Sequence, residues 1–181
     1  MIQLEPSKFA GIKIFEREIF KSDLGFFSNL FHSNFVDDIF IQDSVSFSKE
    51  TGTVRGLHFQ SPPAAQSKLI NVLQGEILDF FLDLRPESET FLRYGSISLN
   101  QENAKTLYIP RGFAHGFITL KNNTIVSYML DNEYNPDMEN TIIWNDPEID
   151  IKWPLMKKYF HSPKDLDGRS LSEILEQDLH R

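Results

Sequence analysis

The chain has 181 residues, 40% of them hydrophobic and 24% charged, a composition that suits one soluble domain with a buried core. A formal net charge of −8 excludes a general nucleic-acid or anionic-membrane partner, which would need a basic face. The absence of cysteine excludes a disulfide scaffold, a thiolate nucleophile and a thiolate metal site.

Met1 to Ala10 carries Glu5 and Lys8 and no long apolar run, so no signal peptide is expected. No window reaches the apolar length of a membrane helix, and a cytoplasmic protein is expected. Ile12 to Phe20 reads as a first β segment, and Asp23-Leu24-Gly25 turns the chain into Phe26-Phe27. Val45 and Phe47 alternate with Ser44, Ser46 and Ser48, the pattern of a half-buried strand. Glu50-Thr51-Gly52 is a turn, and Val54, Leu57 and Phe59 give the following stretch β character until Ser61-Pro62-Pro63 breaks it. Leu69 to Leu73 is a strand, and Ile77 to Leu84, after Gln74-Gly75, is its expected hairpin partner. Tyr94 to Leu99, Thr106 to Ile109 and Phe113 to Leu120 are further strands. Asn122-Asn123 then reads as a hairpin turn into Thr124 to Leu130. Short strands at close intervals predict an antiparallel sandwich or barrel in one domain spanning 1–181. One helix is expected at the end, where Ser170-Leu171-Ser172-Glu173 has the capping-box form and Leu171, Ile174 and Leu175 make an apolar stripe.

Chemistry concentrates between Thr53 and Lys68. Arg55, His58 and Lys68 lie close together on and after a short strand, and a buried strand has no packing use for three such groups. Burying even an uncharged polar group without a partner costs roughly 2–7 kcal/mol, so an anionic or enolate-like ligand is the economical explanation. Arg55 and His58 are three apart, which on a regular strand puts them on opposite faces; a bulge at Gly56 would bring them together. Asp79 interrupts an apolar strand and must be paired or neutral, with a basic residue of the central stretch as its expected partner. His115 is placed on a strand with Gly112 and Gly116 nearby, and glycine lets a ligand or another backbone approach. Hairpin pairing would set Tyr128 near His115, as a proton donor or as core packing. Three well-placed nitrogen or oxygen ligands are not evident, so no metal and no cofactor are expected.

These motifs resemble the dTDP-4-dehydrorhamnose 3,5-epimerase family. The resemblance rests on Val-Arg-Gly-Leu-His-Phe-Gln at Val54–Gln60, Lys68, Gly75-Glu76 with Asp79, and Ile-Pro-Arg-Gly-Phe-Ala-His-Gly-Phe at Ile109–Phe117. It continues through Trp144-Asn145-Asp146-Pro147 and Trp153-Pro154, and runs in order from about Phe20 to Asp165. It implies an all-β, cupin-type jelly-roll sandwich with a short C-terminal helix, a homodimer that exchanges N-terminal strands, and a nucleotide-linked 4-keto-6-deoxy sugar as substrate. Position by position it implies His58 as general base, Asp165 as the carboxylate that orients it, Lys68 as the enolate stabiliser and Tyr128 as the acid on the opposite face. Arg55, Gln42, Phe26, Asp79, His115 and Tyr134 are implied to line the sugar, phosphate and nucleotide site.

The residue types suit this chemistry in their own right. A C–H beside a ketone needs a base poised near neutrality, which imidazole supplies. The charge developing on the ketone oxygen needs a cation placed beforehand. Three departures stand out: Leu24 replaces an arginine, Asn29 a glutamate and Ser44 an asparagine. All three fall where the resemblance puts nucleotide contacts, so a CDP- or GDP-linked sugar, or epimerisation at one carbon, is an alternative. A non-catalytic sugar-nucleotide binder and a ketoisomerase are the other readings.

Overall fold

The computed structural model describes residues 3–178. Most of the expected strands form, and they divide between two facing sheets. One sheet has six strands. In spatial order these are β1 (Gln3–Leu4), β9 (Tyr94–Asn100), β8 (Glu76–Asp83), β11 (Phe113–Thr119), β6 (Val54–Gln60) and β13 (Glu139–Thr141). The other has five: β2 (Lys13–Glu16), β10 (Lys105–Ile109), β7 (Lys68–Gln74), β12 (Thr124–Leu130) and β5 (Gln42–Ser48). A separate two-stranded hairpin joins β3 (Phe20–Ser22) to β4 (Gly25–Phe27). Among the described residues the α-helices are α1 (Pro163–Leu166) and α2 (Leu171–Asp178). This is the all-β sandwich with a short C-terminal helix.

Two of the expected hairpins are instead crossovers. β7 pairs with β10 and β12, while β8 pairs with β9 and β11, so Gly75 at φ 80° carries the chain from one sheet to the other. β11 and β12 likewise lie in different sheets, and Asn123 at φ 54° serves that corner. The turn residues are the ones a tight reversal needs, but the chain closes onto the opposite layer.

Strand alternation sorts the side chains into three apolar layers. Ile70 and Val72 of β7, Val126 of β12, Ile77 and Phe81 of β8 and Phe117 of β11 meet between the sheets. Phe80 and Leu82, on the other face of β8, pack under Ile142, Ile149, Leu171 and Ile174 of the C-terminal region. Beyond the five-stranded sheet, Leu69 and Tyr108 are covered by Val36, Phe31 and Phe40. α2 starts as expected: Ser170 Oγ accepts from Glu173 N at 3.3 Å and Ser170 N donates to Glu173 Oε2 at 2.8 Å.

β5 is oriented against its hydrophobic pattern. Val45 and Phe47 are 63% and 55% exposed, while Ser44 and Ser46 face a polar cavity between the sheets. Alternation was legible in the sequence; which face turned inward was set by that cavity.

Candidate active site

The cavity occupies one end of the space between the sheets and has a volume of about 300 Å³. His58 and Arg55 of β6 and His115 of β11 line it from the six-stranded sheet, and Lys68, Tyr128 and Gln42 from the five-stranded one. Arg55 and His58 reach the same space through a bulge. His115 pairs with His58 and Phe117 with Arg55, so three steps along β6 match two along β11. Gly56, at φ 101°, occupies the irregular position, and a Cβ there would lie 2.5 Å from the carbonyl oxygen of His115. Gly116 is the counterpart across the pair, where a Cβ would meet the Arg55 carbonyl at 2.6 Å. The glycine beside His115 thus admits a neighbouring backbone.

His58 Nε2 lies 2.8 Å from Asp165 Oδ1. Asp165 is the third residue of α1, a one-turn helix not anticipated from the sequence, in which Ser162 and Asp165 form a capping box. The carboxylate is 2% exposed and engaged on both oxygens. Oδ1 also accepts from Gly56 N at 2.9 Å, and Oδ2 accepts from Ser162 Oγ at 2.6 Å. Burial pushes its pKa up, but the close approach of His58 and the hydrogen bonds from Ser162 and Gly56 outweigh that and hold it well below the usual carboxylate range. His58 is pushed down by burial, against the opposing pull of Asp165, so it is neutral near pH 7.

Lys68 Nζ donates to the His58 carbonyl at 3.2 Å. Burial lowers its pKa to about 8, while Asp79 and Glu139 oppose the shift. Asp79 is fully buried, and its partner is His115 Nε2 at 2.9 Å rather than a residue of the central stretch. Burial raises the Asp79 pKa against the pull of His115 and Lys68. Asp79 therefore stands behind the cavity wall and fixes His115, in place of lining the cavity itself.

Arg55 is held by bonds from Nε to Ser48 Oγ at 3.2 Å and from Nη2 to the Phe47 carbonyl at 3.1 Å. The Gln42 amide donates to Ser44 Oγ at 3.0 Å. Tyr134 lines the rim, donates to Glu139 and lies beneath Lys164, which pairs with the same carboxylate. Glu139 and Lys164 were missed in the sequence. Lys164 could have been found from its place beside Asp165, whereas Glu139 sits in a polar stretch with no distinguishing pattern. Phe26 is not brought to the cavity: it is 61% exposed on the detached β3–β4 hairpin. Among the described residues no group of three His, Asp or Glu side chains stands together as metal ligands.

The arrangement is a neutral imidazole with an anchored carboxylate, an ammonium beside it, and a phenol entering from the facing sheet. It can take a proton from carbon, stabilise an adjacent oxyanion and return a proton from elsewhere. The family model described as dTDP-4-dehydrorhamnose 3,5-epimerase matches residues 6–173. A protein of that name from Sinorhizobium fredii is 39% identical over 171 residues, covering 94% of this chain and 85% of the relative. A crystal structure of the Bacillus anthracis protein of the same name, with TDP and PPi bound, is 42% identical with a TM-score of 0.86, covering 90% of this chain and 95% of that one. A Legionella pneumophila dTDP-6-deoxy-D-glucose-3,5-epimerase in complex with dTDP-4-keto-L-rhamnose is 36% identical with a TM-score of 0.87, covering 96% and 93%.

Proposed function

The chain belongs to the dTDP-4-dehydrorhamnose 3,5-epimerase family, and we propose on that premise how its own residues carry out the reaction. It is an isomerase of deoxysugar biosynthesis that epimerises a nucleotide-linked 4-keto-6-deoxyhexose. His58 removes the proton from the carbon beside the ketone, and Asp165 fixes its ring and stabilises the imidazolium that forms. Lys68 neutralises the enolate oxygen. Tyr128 returns a proton on the face opposite His58, which inverts the centre. Arg55 and His115 bind the sugar and phosphate groups, with Asp79 holding His115 in place. Gln42 and Tyr134 contact the nucleotide end. The observation that carries this reading is one cavity lined by His58, backed by Asp165, from one sheet and by Lys68 and Tyr128 from the other.

The working form is a homodimer. Phe26 and Phe27 are each 61% exposed on a hairpin that belongs to neither sheet, and Val45 and Phe47 are exposed on the edge strand β5. Large apolar side chains left exposed in this way suit an association site. A second copy would bring the hairpin, and with it Phe26, to its partner's cavity. No helix among the described residues is long and apolar enough to cross a membrane, and we place the reaction in the cytoplasm.

The test is incubation with dTDP-4-keto-6-deoxyglucose in deuterated water. Deuterium at C3, at C5 or at both supports the reading, and the His58→Ala variant should incorporate none while remaining folded. No incorporation by the wild type would indicate a binder, and a relocated carbonyl a ketoisomerase.

A further inference from the structure

Two capping boxes among the described residues do different things. At α2, Ser170 and Glu173 satisfy one another at the surface, with Ser170 Oγ donating to Glu173 Oε2 at 2.9 Å. At α1 the third residue is an aspartate, one methylene shorter, and it is buried. Its Oδ2 closes the box, taking Ser162 Oγ at 2.6 Å and Ser162 N at 3.4 Å. Its Oδ1 faces away from the box, to Gly56 N at 2.9 Å and His58 Nε2 at 2.8 Å. One carboxylate is shared between a helix cap and a base.

We propose that Ser162 is a positioning residue for the reaction: its hydroxyl clamps Oδ2 so that Oδ1 is presented to His58. Ser162 Oγ also accepts from Asp165 N at 3.2 Å, so backbone and carboxylate of Asp165 are tied to the same oxygen. Without that oxygen, Oδ2 keeps only the 3.4 Å contact from Ser162 N, too long to hold a carboxylate against rotation. A charge buried with an unfilled acceptor turns to find water or another donor, which carries Oδ1 off the imidazole. The inference rests on the reading of His58 as the base.

The test separates the clamp from the cap. Glycine is nearly as good an N-cap as serine, costing only a few tenths of a kcal/mol, but it has no hydroxyl to donate. Threonine keeps the hydroxyl. We compare the wild type, Ser162→Gly, Ser162→Thr and, as a cap-only control, Ser170→Gly. The readouts are the His58 ring titration by NMR and the steady-state rate. Lys68, Lys164 and Glu139 also act on His58, and His161 acts on Asp165; all four are retained in every variant. In Ser162→Gly the His58 midpoint should fall by about half a unit or more, because the imidazolium loses its counter-charge. The turnover number should fall about tenfold with KM within about twofold, the signature of an interaction made in the transition state. Ser162→Thr and Ser170→Gly should match the wild type on both readouts. An unmoved midpoint in folded Ser162→Gly overturns the proposal whatever the turnover, and so does equal loss in the threonine variant. A wild type that exchanges no deuterium, together with a Ser162→Gly midpoint that still falls, sinks the epimerase reading and leaves the clamp standing.

Discussion

Tyr128 and His58 enter the same cavity from opposite sheets, the phenol from β12 and the imidazole from β6. A planar enolate held between them would present one face to each, which is what inversion requires. In Tyr128→Phe, proton removal should persist and inversion should fail: deuterium enters the substrate on the face it left, and inverted product drops by about a hundredfold, the scale of losing one acid catalyst. Equal loss of exchange and inversion would make Tyr128 a packing residue.

Asp165→Asn keeps the shape of the side chain and removes the charge. His58 then loses the group that stabilises its protonated form, so turnover should fall by several orders of magnitude while substrate binding changes little. Isothermal titration against dTDP alongside kcat separates the two. Near wild-type turnover would reduce Asp165 to a structural cap of α1.

The pH profile follows from two groups. His58 must be neutral to act, and burial holds it below its ordinary value, so the acid limb should lie below about pH 6.5. Lys68 must be charged, and its pKa is lowered to about 8, so kcat/KM should fall above that pH with the slope of one proton. The same shift has a stability sign. The folded pKa lies below the ordinary 10.5, so between about 8 and 10.5 the unfolded chain binds the more protons. The contribution of this group to stability therefore grows as pH rises through that window. A rate still flat at pH 9.5 would remove Lys68 from the oxyanion role.

The strands, the terminal helix and the central cluster were legible because each is a local pattern. The bulge could be read only as a condition, that Arg55 and His58 share a cavity if Gly56 breaks the alternation, and the register shift between β6 and β11 meets it. Sheet partners were not legible. Gly75 and Asn123 supply the positive φ of a tight turn whether the chain returns to its own sheet or crosses to the other, so sequence adjacency suggested two hairpins that do not form. The orientation of β5 was hidden because the alternation points Val45 and Phe47 inward, the opposite of what forms. The polar cavity, a tertiary property, decided it. The partner of Asp79 was missed for the same reason: β8 lies beside β11, and that neighbour is set by the crossover at Gly75.

If the exposed apolar surface is the dimer interface, a charge in it should split the dimer. Phe47 is 55% exposed on the edge strand, so Phe47→Glu should leave the monomer folded and shift sedimentation to a single chain. Activity should fall with it, because Phe26 would then have no partner cavity to enter. A variant that still sediments as a dimer would place the interface elsewhere.

Leu24, Asn29 and Ser44 stand where the sequence resemblance puts nucleotide contacts. Leu24 is fully exposed at the tip of the β3–β4 hairpin, where its side chain offers no hydrogen bond and no charge. Ser44 lies in the cavity but receives the Gln42 amide, which ties the two side chains to each other. A charge-assisted hydrogen bond is worth roughly 1.5–3 kcal/mol, so replacing an arginine by leucine should weaken nucleotide binding about tenfold or more. We expect dTDP to remain a ligand, because Arg55 and His115, which we propose bind the sugar and phosphate groups, line the cavity, but with less than tenfold preference over UDP, CDP or GDP. Leu24→Arg should then tighten dTDP selectively, by about tenfold. Competitive binding of the four diphosphates to both proteins measures this directly. A wild-type preference for dTDP of an order of magnitude or more would show that other residues supply the lost contact, and that Leu24, Asn29 and Ser44 are neutral replacements. A preference for another base would move the substrate, and leave the chemistry at His58, Asp165, Lys68 and Tyr128 where it is.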